Sequence, residues 1–99
     1  MRKAYLLVYS STLGTRDEVK SYLTSIPQIK TWRYEMPYSF FLISEEDANT
    51  LVKLIKTASA AKGEDTRFFI TEIPETNRQG WITPSSWYFI KNKTVKPKE

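Results

Sequence analysis

Apolar residues fall into runs of two kinds along the chain. In 4–9 (AYLLVY), 40–43 (FFLI) and 67–73 (RFFITEI) they sit on consecutive or alternating positions, with aromatic and β-branched side chains that favour strands. In two other stretches they recur at helical spacing. Val19, Tyr22, Leu23 and Ile26 form one stripe; Ala48, Leu51, Ile55 and Ala58 form a second, widened by Val52 and Leu54. The first helix has start and stop signals. Thr15 followed three residues later by Glu18 fits a capping box, and Pro27 disfavours helical geometry in the residue before it. Ser44, with Asp47 at the third position and Glu45 and Glu46 in a first turn, predicts the start of the second helix; Lys62-Gly63 predicts its end.

Between the helices lies WRYEMPYSFFLIS, residues 32–44. Its first half alternates, with Trp32, Tyr34 and Met36 on one face and Thr31, Arg33 and Glu35 on the other. Pro37 interrupts, as at a turn or an edge strand. The second half does not alternate, so that strand must be covered on both faces. The element order is β-α-β-β-α-β followed by an aromatic extension, WITPSSWYFI. It predicts an α+β, ferredoxin-like domain over residues 1–90: an antiparallel sheet of strand order 4-1-3-2 with two helices on one face. Residues 91–99 are expected to be a basic, disordered tail.

Two helices cover one face only. On the expected parity, Tyr5, Leu7, Tyr9, Phe41, Ile43 and Phe69 lie on the face they leave bare. Several hundred Å2 of apolar surface in water forgoes on the order of 10 kcal/mol. Three coverings are open: the C-terminal aromatics folding back, a second copy packing sheet to sheet, or nucleic-acid bases stacking on the sheet. Aliphatic side chains among the aromatics favour the first two. The leading expectation is a homodimer sealed with help from the extension, its interface drawn from those six residues and from Trp81, Trp87 and Phe89. Arg33 and Glu35 are expected to face solvent and blunt an edge strand, and Trp32 to belong to the core.

Composition narrows the chemistry. The chain has no cysteine and no histidine, which removes thiolate and imidazole catalysis and Cys/His zinc sites. The formal charge is +4, but residues 91–99 hold four lysines and one glutamate, so the folded part is nearly neutral. No apolar run is long enough for a membrane span, and the first residues carry no cleavage signature; the expected location is the cytoplasm.

The stretches KAYLLVYSS, SFFLIS and RFFITEI, then GW and a last hydrophobic segment, give residues 3–90 a pattern that resembles the small homodimeric CRISPR-associated adaptation subunit and its relatives, the virulence-associated protein D ribonucleases among them. The resemblance implies a ferredoxin-like fold, dimerisation through sheet faces and a segment after the fourth strand that reaches the partner. Relatives that cut nucleic acid carry an aspartate just after the first strand, thought to hold a metal. Here that place reads Val8-Tyr9-Ser10-Ser11. A serine hydroxyl does not supply the anionic ligand that magnesium requires. The resemblance therefore implies a catalytically silent binding protein, with nucleic acid or another protein as partner in a defence setting, and no cofactor. The alternatives are a magnesium-dependent ribonuclease using Glu72 or Asp17, and a single-stranded RNA binder with an open sheet.

Two polar clusters are candidate sites. Ser10, Ser11, Thr15 and Arg16 precede or open the first helix, where unpaired amides attract anions, and the topology brings Arg67 beside them. The plainer reading is a capped helix behind an ordinary loop. Glu72, Glu75, Asn77 and Arg78 cluster in the loop after the fourth strand, where the plainer reading is a polar connection.

Overall fold

A computed structural model describes residues 1–59 and 65–95. In chain order the elements are β1 (Lys3–Tyr9), α1 (Arg16–Ser25), β2 (Ile29–Arg33), β3 (Ser39–Ser44), α2 (Ala48–Ala58), β4 (Phe68–Glu72) and α3 (Pro84–Asn92). The strands form one antiparallel sheet in the order β2-β3-β1-β4, the expected order read from the other edge. The architecture is α+β.

Register decides which residues share a face. Tyr5 stands opposite Leu42 and Glu72, Leu7 opposite Phe40 and Ile70, and Tyr9 opposite Phe68. This face packs on α1 and α2: Tyr5, Leu7, Tyr9, Phe40, Leu42 and Ile70 form one buried cluster with Val19, Leu23, Leu51 and Ile55. Tyr5, Leu7 and Tyr9 thus lie under the helices, the reverse of the expected parity. Pleating fixes only that alternate residues part company; which set the helices choose depends on the handedness of the connections.

The other face carries Ala4, Leu6, Phe41 and Ile43, and it is covered by the chain itself. Phe89 and Ile90 of α3 pack on Ala4, Phe41 and Ile43, with Leu6, Ile73 and Ile82 at the margin. All of β3 is buried, which accounts for its unbroken apolar run. Burying two large side chains such as Phe89 and Ile90 is worth roughly 1.5–3 kcal/mol each. Phe41, Ile43 and Phe89, expected at a dimer interface, are therefore sealed within one chain. Their cover ends short of one corner: Val8 and Phe69, directly opposite each other on β1 and β4, are 44% and 69% exposed.

Helix ends follow local chemistry. At α1 the Thr15 hydroxyl accepts from the Glu18 amide while the Glu18 carboxylate accepts from the Thr15 amide, the expected capping box. Gly14 precedes it at φ +145°, where a Cβ would press on Glu18 and Tyr22. α2 starts later than expected. Asp47 is its N-cap, accepting from the Thr50 amide, and Ser44 instead ends β3, its buried hydroxyl donating to the Gln28 carbonyl at 2.7 Å. The same hydroxyl also accepts from the Glu46 amide at 3.1 Å, closing a turn just ahead of the helix rather than the helix's own first turn. Lys62-Gly63 lies outside the described residues.

The C-terminal segment, expected only as an aromatic extension without assigned structure, contains a helix. Thr83 caps it and Pro84 takes its first position, a pairing that pre-sets helical geometry. α3 continues through Lys91 and Asn92, past the boundary expected at 90. Lys93 closes it at φ +50°, its amide donating to the Phe89 carbonyl and its ammonium contacting Glu75 at 2.5 Å. Residues 91–92 of the expected tail are thus helical, and residues 96–99 lie outside the described residues.

Candidate functional site

The loop after β1 meets the start of β4 as expected, with the Ser10 amide donating to the Arg67 carbonyl and the Arg67 amide to the Thr12 hydroxyl, each at 3.0 Å. The polar groups there serve each other. Ser10 and Thr12 share a hydroxyl–hydroxyl bond, and Thr15 is engaged in the capping box. The Glu18 carboxylate already accepts from the N-cap amide of Thr15, so the helix supplies its own anion. Ser11, Thr15 and Arg16 line a shallow concavity, whereas Ser10 and Arg67 form part of the strand crossing. The five anion candidates do not converge on one point.

The carboxylates at the end of β4 and in the loop beyond it also separate. Glu72 pairs in register with Tyr5, while Glu75 is drawn to Lys93, whose ammonium holds that carboxyl below its usual range. Arg78 turns back to the Pro74 carbonyl at 3.0 Å. Among the described residues no group of three or more acidic side chains is arranged to hold a metal ion.

Arg33 and Glu35 do not stand in solvent as expected. The Arg33 Nε donates to the Ser86 hydroxyl at 2.6 Å, that hydroxyl donates to Glu35, and the Thr83 hydroxyl donates to the same carboxylate oxygen at 2.8 Å. The two hydroxyl bonds hold the Glu35 carboxyl below its usual range. The two side chains grip the first turn of α3 and fix it to the end of β2. Because residues two apart on a strand share a face, the face of Thr31, Arg33 and Glu35 is the one α3 covers.

On the opposite side of β2 a second arrangement appears. The Arg16 guanidinium lies 5.0 Å from the centre of the Tyr34 ring, and the Lys20 ammonium 5.3 Å from that of Trp32. Both rings stand edge-on to Phe40, at 5.7 and 5.5 Å between centres. Trp32 is anchored further by its indole N–H, which donates to the Thr24 hydroxyl at 3.1 Å. Four residues along a helix advance about 6 Å and two along a strand about 6.6 Å, so cations at i and i+4 of α1 match rings at i and i+2 of β2. That spacing, Arg16/Lys20 against Trp32/Tyr34, is legible in the sequence once the two elements are known to be adjacent.

These layers border two concavities. The larger, about 730 Å3, follows β2 between α1 and α3 and is lined by residues including Lys20, Trp32, Arg33, Tyr34, Tyr88 and Phe89. The smaller, about 470 Å3, includes Arg16, Tyr34, Tyr9 and Tyr38 in its lining, so the two meet at Tyr34. Tyr38 projects from the β2–β3 turn at φ +59°, its ring edge-on to Tyr9. Of the remaining interface candidates, Trp81 is fully exposed and Trp87 half-buried. No helix among the described residues is long and apolar enough to cross a membrane. No protein-family model, curated protein or solved structure matches the chain.

Proposed function

We propose that the chain is a non-catalytic binding and assembly protein of ferredoxin-like architecture that works as a homodimer, in the manner of a silent relative of the CRISPR-associated adaptation subunits. The observation that carries the reading is the bare corner of the second sheet face. Val8 and Phe69 are exposed side by side, and β4 stands at the edge of the sheet with no strand beyond it among the described residues. An edge strand with an apolar residue turned outward is a liability unless something pairs with it. A copy related by a twofold axis meets both needs, because antiparallel β4–β4 pairing continues the sheet and sets the two Phe69 side chains on the same face. The expected partners, nucleic acid or another protein, and the cytoplasmic location belong to the same reading.

Two features support the absence of catalysis. Ser10, at the place of the metal-binding aspartate in the family resembled, spends its hydroxyl on Thr12, and the Glu75 carboxylate is paired with Lys93. Sedimentation of the chain at micromolar concentration is expected to show a dimer, and Phe69→Asp a monomer with unchanged helix content. A wild-type monomer at that concentration overturns assembly. Magnesium-dependent RNA cleavage that is lost on Glu72→Ala overturns the non-catalytic part.

A further inference from the structure

We propose that the groove along the outer edge of β2 is a binding site for single-stranded nucleic acid. It goes beyond the assembly reading and does not depend on it, since β2 and β4 are opposite edges of the sheet.

Charge is the first argument. The larger concavity is lined by Lys20 and Arg33 and by no carboxylate; the path continues past Tyr34 into the smaller one, where Arg16 and Asp17 both line it. Arg33 shares its charge with Glu35 through Ser86, and Arg16 has Asp17 at 4.0 Å across exposed surface. Lys20 has no ion-pair partner among the described residues. Its ammonium is held over Trp32, so the positive charge is fixed at the groove rim, where a phosphate gains from it without first ordering a long side chain.

Rings are the second argument. Tyr88 on α3 is 61% exposed on one wall, Trp32 and Tyr34 form the other, and Tyr38, 55% exposed, extends the path beyond Tyr34. A track of cations interleaved with aromatic faces is what a strand of unpaired bases requires: phosphates meet the cations, and bases stack on rings whatever their identity. A duplex keeps its bases stacked inside and has no use for rings in a groove. The free edge of β2 also has the geometry to accept an extended peptide. Such a peptide needs backbone partners, however, and explains neither the layered cations nor the exposed ring of Tyr88.

The experiment is fluorescence anisotropy of a labelled oligouridylate with the full chain over a range of salt. Wild type is expected to bind with an affinity that falls as salt rises. Tyr88→Ala is expected to weaken binding about tenfold, the scale of one lost base–ring stack, and Tyr88→Phe to restore it because the ring remains. Lys20→Ala is expected to lower the salt slope by about one. Tyr88 is exposed and Lys20 is half-buried at the rim of the core, so both variants should keep the wild-type circular dichroism. No binding by wild type overturns the proposal. So does affinity indifferent to both variants but lost when residues 96–99 are removed, a duplex bound as tightly as the single strand, or full displacement by polyglutamate at equal charge. A monomer that binds the oligonucleotide sinks the assembly reading alone; a dimer that ignores it sinks this one alone.

Discussion

At the scale of the residue, Glu35 shows how one side chain can hold two elements together. Its carboxylate accepts hydroxyl hydrogens from Ser86 and Thr83, so it fastens the first turn of α3 to the chain just beyond β2. Those bonds favour the ionised form and lower its pKa in the folded state. A carboxyl with a depressed folded pKa contributes stability that is fully present above its unfolded pKa and lost as pH falls through the folded one. Stability is therefore expected to be level from neutral pH down to the ordinary carboxylate range and to decline below it, as Glu35 takes up a proton. Glu35→Gln keeps an acceptor but cannot titrate, so part of that decline should vanish. Denaturant midpoints of the two chains between neutral pH and the acid limb measure the difference. Parallel acid limbs would show that Glu35 contributes nothing to docking.

At the scale of the element, α3 and β4 make opposite use of the same kind of residue. Phe89 of α3 is buried against Phe41 and Ile43, while Phe69 of β4 stands in solvent. Phe89→Ala is expected to cost about 3–5 kcal/mol, the range for removing a buried aromatic side chain, and Phe69→Ala under about 0.5 kcal/mol in the monomer. Thermal melts of the two variants side by side decide it. The contrast marks what can be read from the chain directly. Strand and helix positions follow from period, and the capping box of Thr15 and Glu18 is where the pattern puts it. The doubly apolar run of β3 announces two covers. That one cover is α3 is also written there, in Thr83-Pro84 at a helix start, but nine residues with an interrupted apolar pattern give too weak a helical period to stand out as a helix. What the residues leave open is parity. Tyr5, Leu7 and Tyr9 are as apolar as Leu6 and Val8, and composition cannot say which set meets α1 and α2. The candidate groove was hidden for a related reason: Lys20 and Trp32 lie twelve positions apart and meet only because α1 packs beside β2.

At the scale of the whole molecule, the sheet is a central layer whose two faces are closed by unequal means. The first face has two helices and most of the core; the second depends on one short helix held by Phe89, Ile90 and the Glu35 contacts. Loss of that helix would leave Ala4, Leu6, Phe41 and Ile43 open to water while α1 and α2 still shield the other side. A Phe89→Asp, Ile90→Asp double variant places two charges where the sheet is apolar, so α3 can no longer dock. The first core is untouched, so far-ultraviolet circular dichroism should retain the strands and the first two helices. The bared face should bind 8-anilinonaphthalene-1-sulfonate and drive association well beyond a dimer. Phe69→Asp should move assembly the other way, toward the monomer, with no gain in dye binding. If the double variant stays dye-silent and no more associated than wild type, α3 is not what keeps the second face dry, and the division of labour between the two faces fails with it.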